Sequence, residues 1–428
     1  MDLSAVDLSP VPEDGTATDA YANTVTAAKR AERLGYTRFW VAEHHGMTSR
    51  LAGTTPEVLL GRLAGATDSI RLGSGAVLLN NYSPFKVAEV FGALDGLAPG
   101  RIDAGLGRAN GSPAVDRALG TERHVQNPDE DHREKVEAVV NHLYDDYPEG
   151  HAYSDLEIPR SGAEPPVPWV LGSSPSSAAI AGELGLRYCF AAFIRPQFAT
   201  HAFEEYREHF QPSPLAGGVD EPAGMIAVNA VCAETDEAAA RLRSVAEATY
   251  KRMQRGALGT VPSVEEAIDE LGGVPDPTPA SLPDDEWPRS VSGSPETIDG
   301  LLAQLADRVG VDEVMIQQTI ADHDDALRSH ELLADAVGLD GRSAVSRRRC
   351  SYRFSVWTAA SRAFAAASAI ASDNVGWVWI VAAISSSRAL ISIASPTSAI
   401  NSAASGATIR SPRTNSVSLS ATIRTNPS

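Results

Sequence analysis

Short apolar runs recur along residues 1–340, and amphipathic stretches with helical spacing separate them. This alternation is typical of βα units built around a parallel sheet. Eight such units in a stretch of this size favour an α/β fold of the (β/α)8 TIM barrel type, with insertions, over a doubly wound sheet. The runs are Leu3–Leu8, Arg38–Ala42, Arg71–Leu79, Arg101–Gly107, Val167–Gly172, Arg187–Ala192, Met225–Ala233 and Asp312–Gln318.

The helices between the runs are marked by the residues at their ends. The first is predicted over Ala17–Leu34, because the Gly35 that follows is a typical C-cap. Pro56 and Pro84 suit the first turns of two more helices, and a polar helix is expected around Asp131–Leu143. These helices would cover the outside of the barrel.

The chain around the seventh run has no clear period and is expected to form an insertion of roughly 211–290. Within it, residues 274–288 are rich in Pro and acidic side chains, which is typical of a surface loop or lid. Ser292–Glu296 then predicts the start of a helix that reaches Val309, and Asp324–Val337 predicts the last helix. The barrel domain is therefore expected to span residues 1–340, with a lid within 211–290.

Residues 341–428 follow a different pattern, because Ser, Ala and Arg dominate and both the helical and the strand periods disappear. The longest uncharged run, Asn374–Ser387, has 14 residues, whereas a membrane-spanning helix needs ~20. We interpret this tail as a low-complexity extension that is disordered or foreign to the native protein. A membrane-surface anchor is the alternative.

Charge divides the chain at the same place. The net charge of −19 is the sum of about −28 in residues 1–341 and about +9 in the tail. An acidic body argues against nucleic acid or an anionic membrane as partner, since both require clustered Lys and Arg. The excess of acid fits either a halophilic source or an ordinary acidic cytosolic protein.

Cysteine usage and the N-terminus bear on the cellular compartment. Cys189, Cys232 and Cys350 show no CxxC spacing, so neither a disulfide framework nor a thiolate zinc site is indicated. Cys189 and Cys232 lie in apolar runs and are expected to be buried. The first ten residues lack the basic region and apolar core of a secretory signal, so a cytoplasmic location is expected.

Glu43, His44 and His45 follow the second apolar run directly, at the end of a strand where polar groups reach the surface of a sheet. A metal site is one interpretation, but adjacent residues of a strand point to opposite faces and would not both bind one ion without a turn. Histidines that satisfy a turn are the second. The third is a proton donor or acceptor beside a cofactor, since His exchanges protons near neutral pH.

Two further segments could bind an anion. Gly105, Gly107 and Gly111 have GxGxxxG spacing, which indicates either a tight turn or a close approach to a ligand, and Arg108 among them suits an anionic group. Residues 172–178, GSSPSSA, enter a helix after the fifth run. Hydroxyls and free N–H groups there suit a phosphate, although Ser174 or Ser176 could simply be an N-cap.

Taken together, these segments resemble the bacterial-luciferase-like family of flavin-dependent monooxygenases. The resemblance rests on AERLGYTRFWVAEHH at 31–45, on the segment from RLGSG to GRANG at 71–111, and on VPWVLGSSPSSAAIAGELGL at 167–186. It covers roughly residues 3–339 and leaves the tail without a counterpart. It implies a (β/α)8 barrel that binds reduced FMN and activates dioxygen.

The resemblance also implies roles for individual residues. His44 would stabilise or transfer the proton of a flavin peroxide, with His45 beside it as a second catalytic residue. The family's cis peptide would fall on Ser74–Gly75, close to the flavin ring. The remaining implied cofactor contacts are Glu43, Arg108, Ser173, Ser174 and Ser177. Ser173 stands where luciferases carry an acid, so light emission is not implied.

Three functions remain open on the sequence. The first is an alkanal-monooxygenase-like enzyme that uses reduced FMN and O2 on a small organic substrate, with a flavin reductase as reduced-flavin donor. The second is F420-dependent hydride transfer on the same fold, and the third is a non-catalytic flavin-binding accessory protein. The resemblance implies a homodimer through helices that follow the second and third strands, where Leu59, Leu63, Phe85 and Phe91 would serve the dimer or pack the barrel. No metal is expected.

Overall fold

The computed structural model describes residues 1–109, 111–121, 125–213, 215–257, 259–284 and 286–339, and also the backbone of 379–385 and 388–394. The chain divides into two units, Met1–Arg347 and Arg348–Ser428. The first unit contains every element that follows, up to the last helix.

Ten parallel strands form one sheet, and eight of its members close into a barrel. The last strand of the barrel, Glu313–Gln317, pairs with Asp2–Asp7 on one side and with Gly224–Cys232 on the other. This confirms the (β/α)8 barrel. The strands are β1 Asp2–Asp7, β2 Arg38–Val41, β3 Arg71–Ser74, β4 Val77–Leu78, β5 Ile102–Gly107, β6 Val167–Gly172, β7 Arg187–Ala191, β8 Gly224–Cys232, β9 Ser290–Gly293 and β10 Glu313–Gln317.

Helices surround the barrel and agree with the predicted ends to within a few residues. The predicted helix Ala17–Leu34 is found with those bounds, and Gly35 caps it in the left-handed conformation. The helices are α1 Ala17–Leu34, α2 Pro56–Ala64, α3 Pro84–Leu97, α4 Pro113–Leu119, α5 Pro128–Tyr144, α6 Pro175–Glu183, α7 Ala199–Glu208, α8 Asp236–Gln254, α9 Val264–Leu271, α10 Pro295–Val309 and α11 His323–Ala336.

Side chains of each strand alternate between two apolar layers. In β2, Phe39 and Val41 face outwards and pack with the helices. Trp40 faces inwards and meets Trp169 edge to face, with the ring centroids 5.9 Å apart. Cys189 belongs to the same inner layer and is buried, as is Cys232, which confirms the burial expected for both. The part of the barrel interior that contains Trp40, Trp169 and Cys189 is therefore filled by side chains.

An ionic network closes the amino end of the barrel. Asp103, fully buried near the start of β5, accepts two hydrogen bonds from Arg71 at 2.8 and 3.0 Å and lies 3.3 Å from Nε of Arg38. Burial by itself would raise the pKa of Asp103, but the two guanidinium groups outweigh it and hold the pKa below its usual value. The opposite, carboxyl end of the barrel remains for a functional site.

The third apolar run does not form the single strand predicted over Arg71–Leu79. It is broken into β3 and β4, because the hydroxyl of Ser74 donates to the carbonyl of Gly105 and accepts from its N–H. The peptide bond between Gly75 and Ala76 is cis, so the cis bond expected at Ser74–Gly75 lies one residue later. Gly75 N–H still donates to the Val41 carbonyl at 2.8 Å, which continues the ladder through that residue.

The insertion after β8 contains elements that the pattern did not reveal, namely α8, α9 and strand β9, which pairs with β8. The acidic stretch before β9 packs on the outside of the barrel. Thr278 is buried and accepts a hydrogen bond from Arg243, while Arg308 donates to the carbonyls of Leu282 and Pro283. These contacts join residues 274–284 to α8 and α10.

Most of the predicted tail lies outside the described residues. Its described part consists of two antiparallel strands, β11 Trp379–Ser385 and β12 Arg388–Ala394. Among the helices that the structure describes, none is long and apolar enough to cross a membrane.

Candidate active site at the carboxyl end of the barrel

A cavity of about 850 Å³ opens at the carboxyl ends of the strands. Its wall includes the loops that follow β2, β5, β6 and β7, and its floor includes inward-facing apolar residues such as Met315. Pockets of roughly 300–1,000 Å³ are typical of sites for cofactors and drug-sized ligands. The predicted site residues on its wall are Glu43, His44, His45, Gly75, Arg108 and Ser173.

Glu43 is the centre of a hydrogen-bond cluster. Its Oε2 accepts from the Leu78 N–H at 2.9 Å, and its Oε1 accepts from Tyr82 at 3.0 Å and Asn81 at 3.2 Å. Nε2 of His45 lies 2.6 Å from the same Oε1. Protein donors reach both carboxylate oxygens, so Glu43 fixes His45 and the turn after β4, and its role as a direct cofactor contact stays a prediction.

The backbone of His44 is fixed by a hydrogen bond, whereas its side chain forms none with the described residues. Its N–H donates to the Gly53 carbonyl at 2.7 Å, which fixes the start of the loop. Its Nδ1 is buried and has no hydrogen-bond partner among the described residues. Burial, with help from the nearby Arg50 and His45, lowers the pKa of His44 to about 4. The imidazole is therefore neutral near pH 7 and can donate one hydrogen bond and accept another.

Gly105 and Gly107 have a packing role in β5. A Cβ on Gly105 would lie 1.9 Å from the Ser74 carbonyl oxygen, and a Cβ on Gly107 would lie 2.8 Å from Cβ of Ala76. These glycines let the break between β3 and β4 pack directly on β5. The GxGxxxG spacing therefore reflects close approach of two strands, and its tight-turn interpretation does not hold for the first two glycines.

Arg108 lies on the cavity wall just beyond β5. Its Nη2 pairs with the Asp129 carboxylate at 2.5 Å, while its Nη1 is buried without a partner among the described residues. Asp129 belongs to the exposed first turn of α5. One half of the guanidinium is thus anchored, and the other half remains available to a ligand.

The three predicted serines do not share one environment. Ser173 lines the cavity. Ser174 is the N-cap of α6 and accepts a hydrogen bond from the Ser177 N–H at 3.4 Å. The hydroxyl of Ser177 donates to the Ser174 carbonyl at 2.7 Å and lies 3.2 Å from the hydroxyl of Tyr188. The N-cap interpretation of Ser174 is confirmed, and Ser174 and Ser177 lie behind the wall that Ser173 and Gly172 form.

Ser74 and Gly75 also differ in whether they line the cavity. The Ser74 hydroxyl is fully buried and hydrogen-bonded to Gly105, and Ser74 is not among the described residues that line the cavity. Gly75 and Ala76 line the cavity, and a Cβ on Gly75 would lie 3.2 Å from both Trp40 and Val6. The backbone of this cis peptide, without a bulky side chain, forms the wall here.

Sequence reasoning missed three residues of the site. Asn81 and Tyr82 reach Glu43 from the turn after β4, and Arg50 lines the cavity from the loop after β2. The position of Arg50, six residues beyond His44 in the same loop, was the available signal. Metal ligation has no geometric support, because no three His, Cys, Asp or Glu side chains in the described ranges are grouped to hold an ion.

Leu63 and Phe91, proposed for either packing or a dimer, are fully buried in the barrel core together with Leu59, and Phe85 packs against that core. Within one chain they serve the packing of α2 and α3.

Comparison with known proteins gives a consistent family. Curated relatives include YvbT of Bacillus subtilis (strain 168), 37% identical over 335 residues, and a luciferase-like monooxygenase of Escherichia coli (strain K12), 33% identical over 333 residues. The N-acetyl-S-alkylcysteine monooxygenase of Bacillus subtilis (strain 168) is 35% identical over 336 residues. Each alignment covers 78% of this chain and 96–98% of the relative.

Solved structures share the fold. Apo-MsnO8 is 39% identical with a TM-score of 0.70, over 79% of this chain and 99% of that one. The oxygenating constituent of 3,6-diketocamphane monooxygenase from Pseudomonas putida, in complex with FMN, is 20% identical with a TM-score of 0.57, over 79% and 98%. An F420-dependent secondary alcohol dehydrogenase is 15% identical with a TM-score of 0.55, over 78% and 98%. The last two show the fold alone.

The family model for luciferase-like monooxygenases matches residues 1–313 of this chain. That range includes the described cavity lining except Met315. This confirms the resemblance found in the sequence. The chain belongs to the luciferase-like monooxygenase family.

Proposed function

We propose that the protein is a flavin-dependent monooxygenase that uses reduced FMN and O2 to oxidise a small organic substrate. The observation that carries this proposal is the placement of a neutral His44, with an unpartnered Nδ1, on the wall of a cavity that a flavin could fill. Reduced FMN would supply the electrons that activate dioxygen. The chain would bind the cofactor, orient it and handle protons.

The residues present fit a phosphorylated flavin. Arg108 offers a buried, unpartnered Nη1, and Ser173 lies on the same wall ahead of the N-terminus of α6. A planar guanidinium and a helix N-terminus both favour phosphate. The glycines Gly75, Gly107 and Gly172 line the cavity and allow a flat ring to approach the backbone. Ser174 and Ser177 would support this wall from behind.

His44 and His45 would act differently in this mechanism. A neutral His44 can donate a hydrogen bond to an oxygen atom, or accept one from a protonated oxygen, without the cost of burying a charge. His45, held by Glu43, would orient the cofactor or its neighbour. A lid that excludes water remains part of the proposal. In the predicted insertion, Gly259 lines the cavity, whereas residues 274–284 pack on the outside.

The cofactor is the sharpest test. Purified protein is titrated anaerobically with FMN and, separately, with F420, and each complex is followed by its absorption. The monooxygenase complex is then supplied with a flavin reductase, NADH and isotopically labelled dioxygen, with medium-chain alkanals and N-acetyl-S-methylcysteine as probes. We expect FMN binding and transfer of labelled oxygen into one of the probes.

Other outcomes separate the alternatives. Tight binding of F420 without FMN binding would favour F420-dependent hydride transfer. The solved F420-dependent dehydrogenase supports that alternative only through its shared fold. Binding of FMN with no oxygen transfer and no oxygen consumption above the reductase background would favour the accessory protein. A homodimer and a dedicated flavin reductase also remain predictions, and sedimentation of the holoprotein tests the former.

A further inference from the structure

We propose that the substrate of this enzyme is an amphiphilic carboxylate and that Arg50 binds its carboxylate group. This inference rests on the proposed flavin-dependent function, because it assigns the part of the cavity that the flavin phosphate does not use. The argument starts from Arg50 itself and then considers the charge and the shape of the cavity.

Hydrogen bonds fix the backbone of Arg50, whereas its side chain has no hydrogen-bond or ion-pair partner among the described residues. Its N–H donates to the Met47 carbonyl at 2.9 Å, and its carbonyl accepts from the Val11 N–H at 2.8 Å. Its Nε is buried without a hydrogen-bond partner, and no ion pair of Arg50 occurs among the described residues. The guanidinium lines the cavity on the loop that also carries His44.

The chain has 55 acidic and 36 basic side chains, so possible partners for an arginine are plentiful. Three other arginines of the barrel have acidic partners: Arg38 and Arg71 pair with Asp103, and Arg108 pairs with Asp129. A partly buried cation without an anionic partner costs free energy unless a ligand neutralises it. The cavity wall therefore carries a charge that no described side chain compensates.

No described neighbour of Arg50 neutralises its charge. Burial and the neighbouring Arg252 both lower the pKa of Arg50, and Arg252 itself is paired with Glu270. Around the cavity, the described charged side chains other than histidines are Arg50, Arg108, Arg195 and Glu43. Three arginines stand against one carboxylate on the described cavity wall, so the wall is positive within a negative protein and would attract an anion.

One anion is not enough to explain both positions. The phosphate of a bound flavin would lie at Arg108 and Ser173, after β5 and β6. Arg50 follows β2, and in the order β2-β3-β5-β6 two strands lie between β2 and β6. We therefore assign a second anionic group to the His44 side of the cavity, where the reacting part of a substrate would be held.

The rest of the cavity indicates an apolar body for that substrate. Met47, Val115, Leu119, Phe193 and Ile194 lie on its wall, and Leu119 and Ile194 are 41% and 48% exposed although they are large and apolar. Apolar side chains at a cavity rim favour an apolar ligand. A carboxylate, planar and singly charged, matches the fork of Arg50 by two parallel hydrogen bonds.

The test compares acids with neutral molecules of the same shape. FMN-loaded protein is titrated by calorimetry with straight-chain fatty acids from butanoate to dodecanoate and with phenylacetate, each beside its primary amide. We expect at least one acid to bind about tenfold more tightly than its amide, a difference of about 1.4 kcal/mol. Arg50→Met should abolish that preference, and Arg50→Gln should do the same if the first variant does not fold.

Arg195→Met is the matched control, since Arg195 also lines the cavity but is exposed. It should retain the preference for acids. The inference is overturned if no acid is preferred by the wild type, if both Arg50 variants retain the preference, or if Arg50→Met weakens FMN binding instead. Failure of the wild-type protein to bind FMN would contradict the proposed function before any acid is added.

Discussion

Nε2 of His45 lies 2.6 Å from Oε1 of Glu43, within a cluster in which Leu78, Asn81 and Tyr82 also donate to the same carboxylate. One buried side chain thus joins the histidine loop after β2 to the turn after β4. The geometry of the candidate site depends on this junction more than on any contact that the loop makes by itself.

The Glu43 cluster predicts a coupled loss of stability and activity. Glu43→Ala leaves several buried donors without an acceptor, and we expect it to lower the free energy of unfolding by about 2 kcal/mol. Turnover should fall as well, because His45 loses its orientation. Urea unfolding measures the first effect. Glu89→Ala, which removes only a surface pair with Lys86, should change stability by less than about 1 kcal/mol, and equal losses in both variants would contradict the cluster's role.

His44 is expected to be needed for coupling rather than for cofactor binding. His44→Ala should bind FMN with near wild-type affinity, because the side chain offers no charge at neutral pH. Product yield should fall while hydrogen peroxide accumulates, since nothing then controls the proton on the reacting oxygen. Measurement of product and peroxide per NADH consumed decides this, and a near-normal product yield would refute the role of His44.

Arg108 is expected to recognise the phosphate of the flavin. Arg108→Met should weaken FMN binding by at least about tenfold, since a hydrogen bond to a charged group contributes about 1.5–3 kcal/mol. Riboflavin, which lacks the phosphate, serves as its own control and should bind both forms of the protein equally. Fluorescence quenching of the two flavins measures this, and an equal loss for both would place the phosphate elsewhere.

His132 predicts an effect of pH on stability. It is buried on α5, neither ring nitrogen has a partner among the described residues, and burial followed by Arg108 lowers its pKa to about 4. Between about pH 6.5, the ordinary value, and pH 4, the unfolded chain binds more protons than the folded one. Stability therefore falls as the pH falls through this window.

His132→Phe should make that decline shallower and leave stability at pH 7 unchanged or raised, because two unpaired buried nitrogens are removed. The slope should not vanish, since the pKa values of His44 and His330 are also lowered to about 4. Urea unfolding at pH 7 and pH 5 measures the difference. His201→Phe, at an exposed position of α7, is the control, and a wild-type slope in His132→Phe would contradict the prediction.

Gly105 is expected to tolerate no side chain. Gly105→Ala brings a Cβ to 1.9 Å from the Ser74 carbonyl oxygen, a backbone atom that cannot rotate away. We expect a loss of at least about 1–3 kcal/mol, as for overpacked cores. Gly300→Ala, in α10 with no atom within 4 Å of the new Cβ, should be neutral or stabilise by about 0.5–1 kcal/mol. Similar thermal midpoints for both variants would refute the packing role.

The barrel could be predicted because each βα unit has a local signature. β2 and α1 are recognisable from their own apolar periods and from Gly35, without reference to distant residues. The break at Ser74 could not be predicted, because its cause is the backbone of Gly105, which lies 31 residues further along the chain. Strand β9 was not predicted either, because Ser290–Gly293 has a single large apolar residue, Val291, and so shows no apolar run of its own.

The same division applies to the site. The residue types and their positions at strand ends determined that Glu43, His44, His45, Arg108 and Ser173 would meet at one end of a barrel, since parallel strands place their carboxyl ends together. Only the tertiary structure decided which polar groups remain free. Glu43 and Ser74 form hydrogen bonds with residues distant in the sequence, whereas Nδ1 of His44 and Nε of Arg50 have no hydrogen-bond partner among the described residues. Partnership depends on three-dimensional proximity, which a local pattern does not contain.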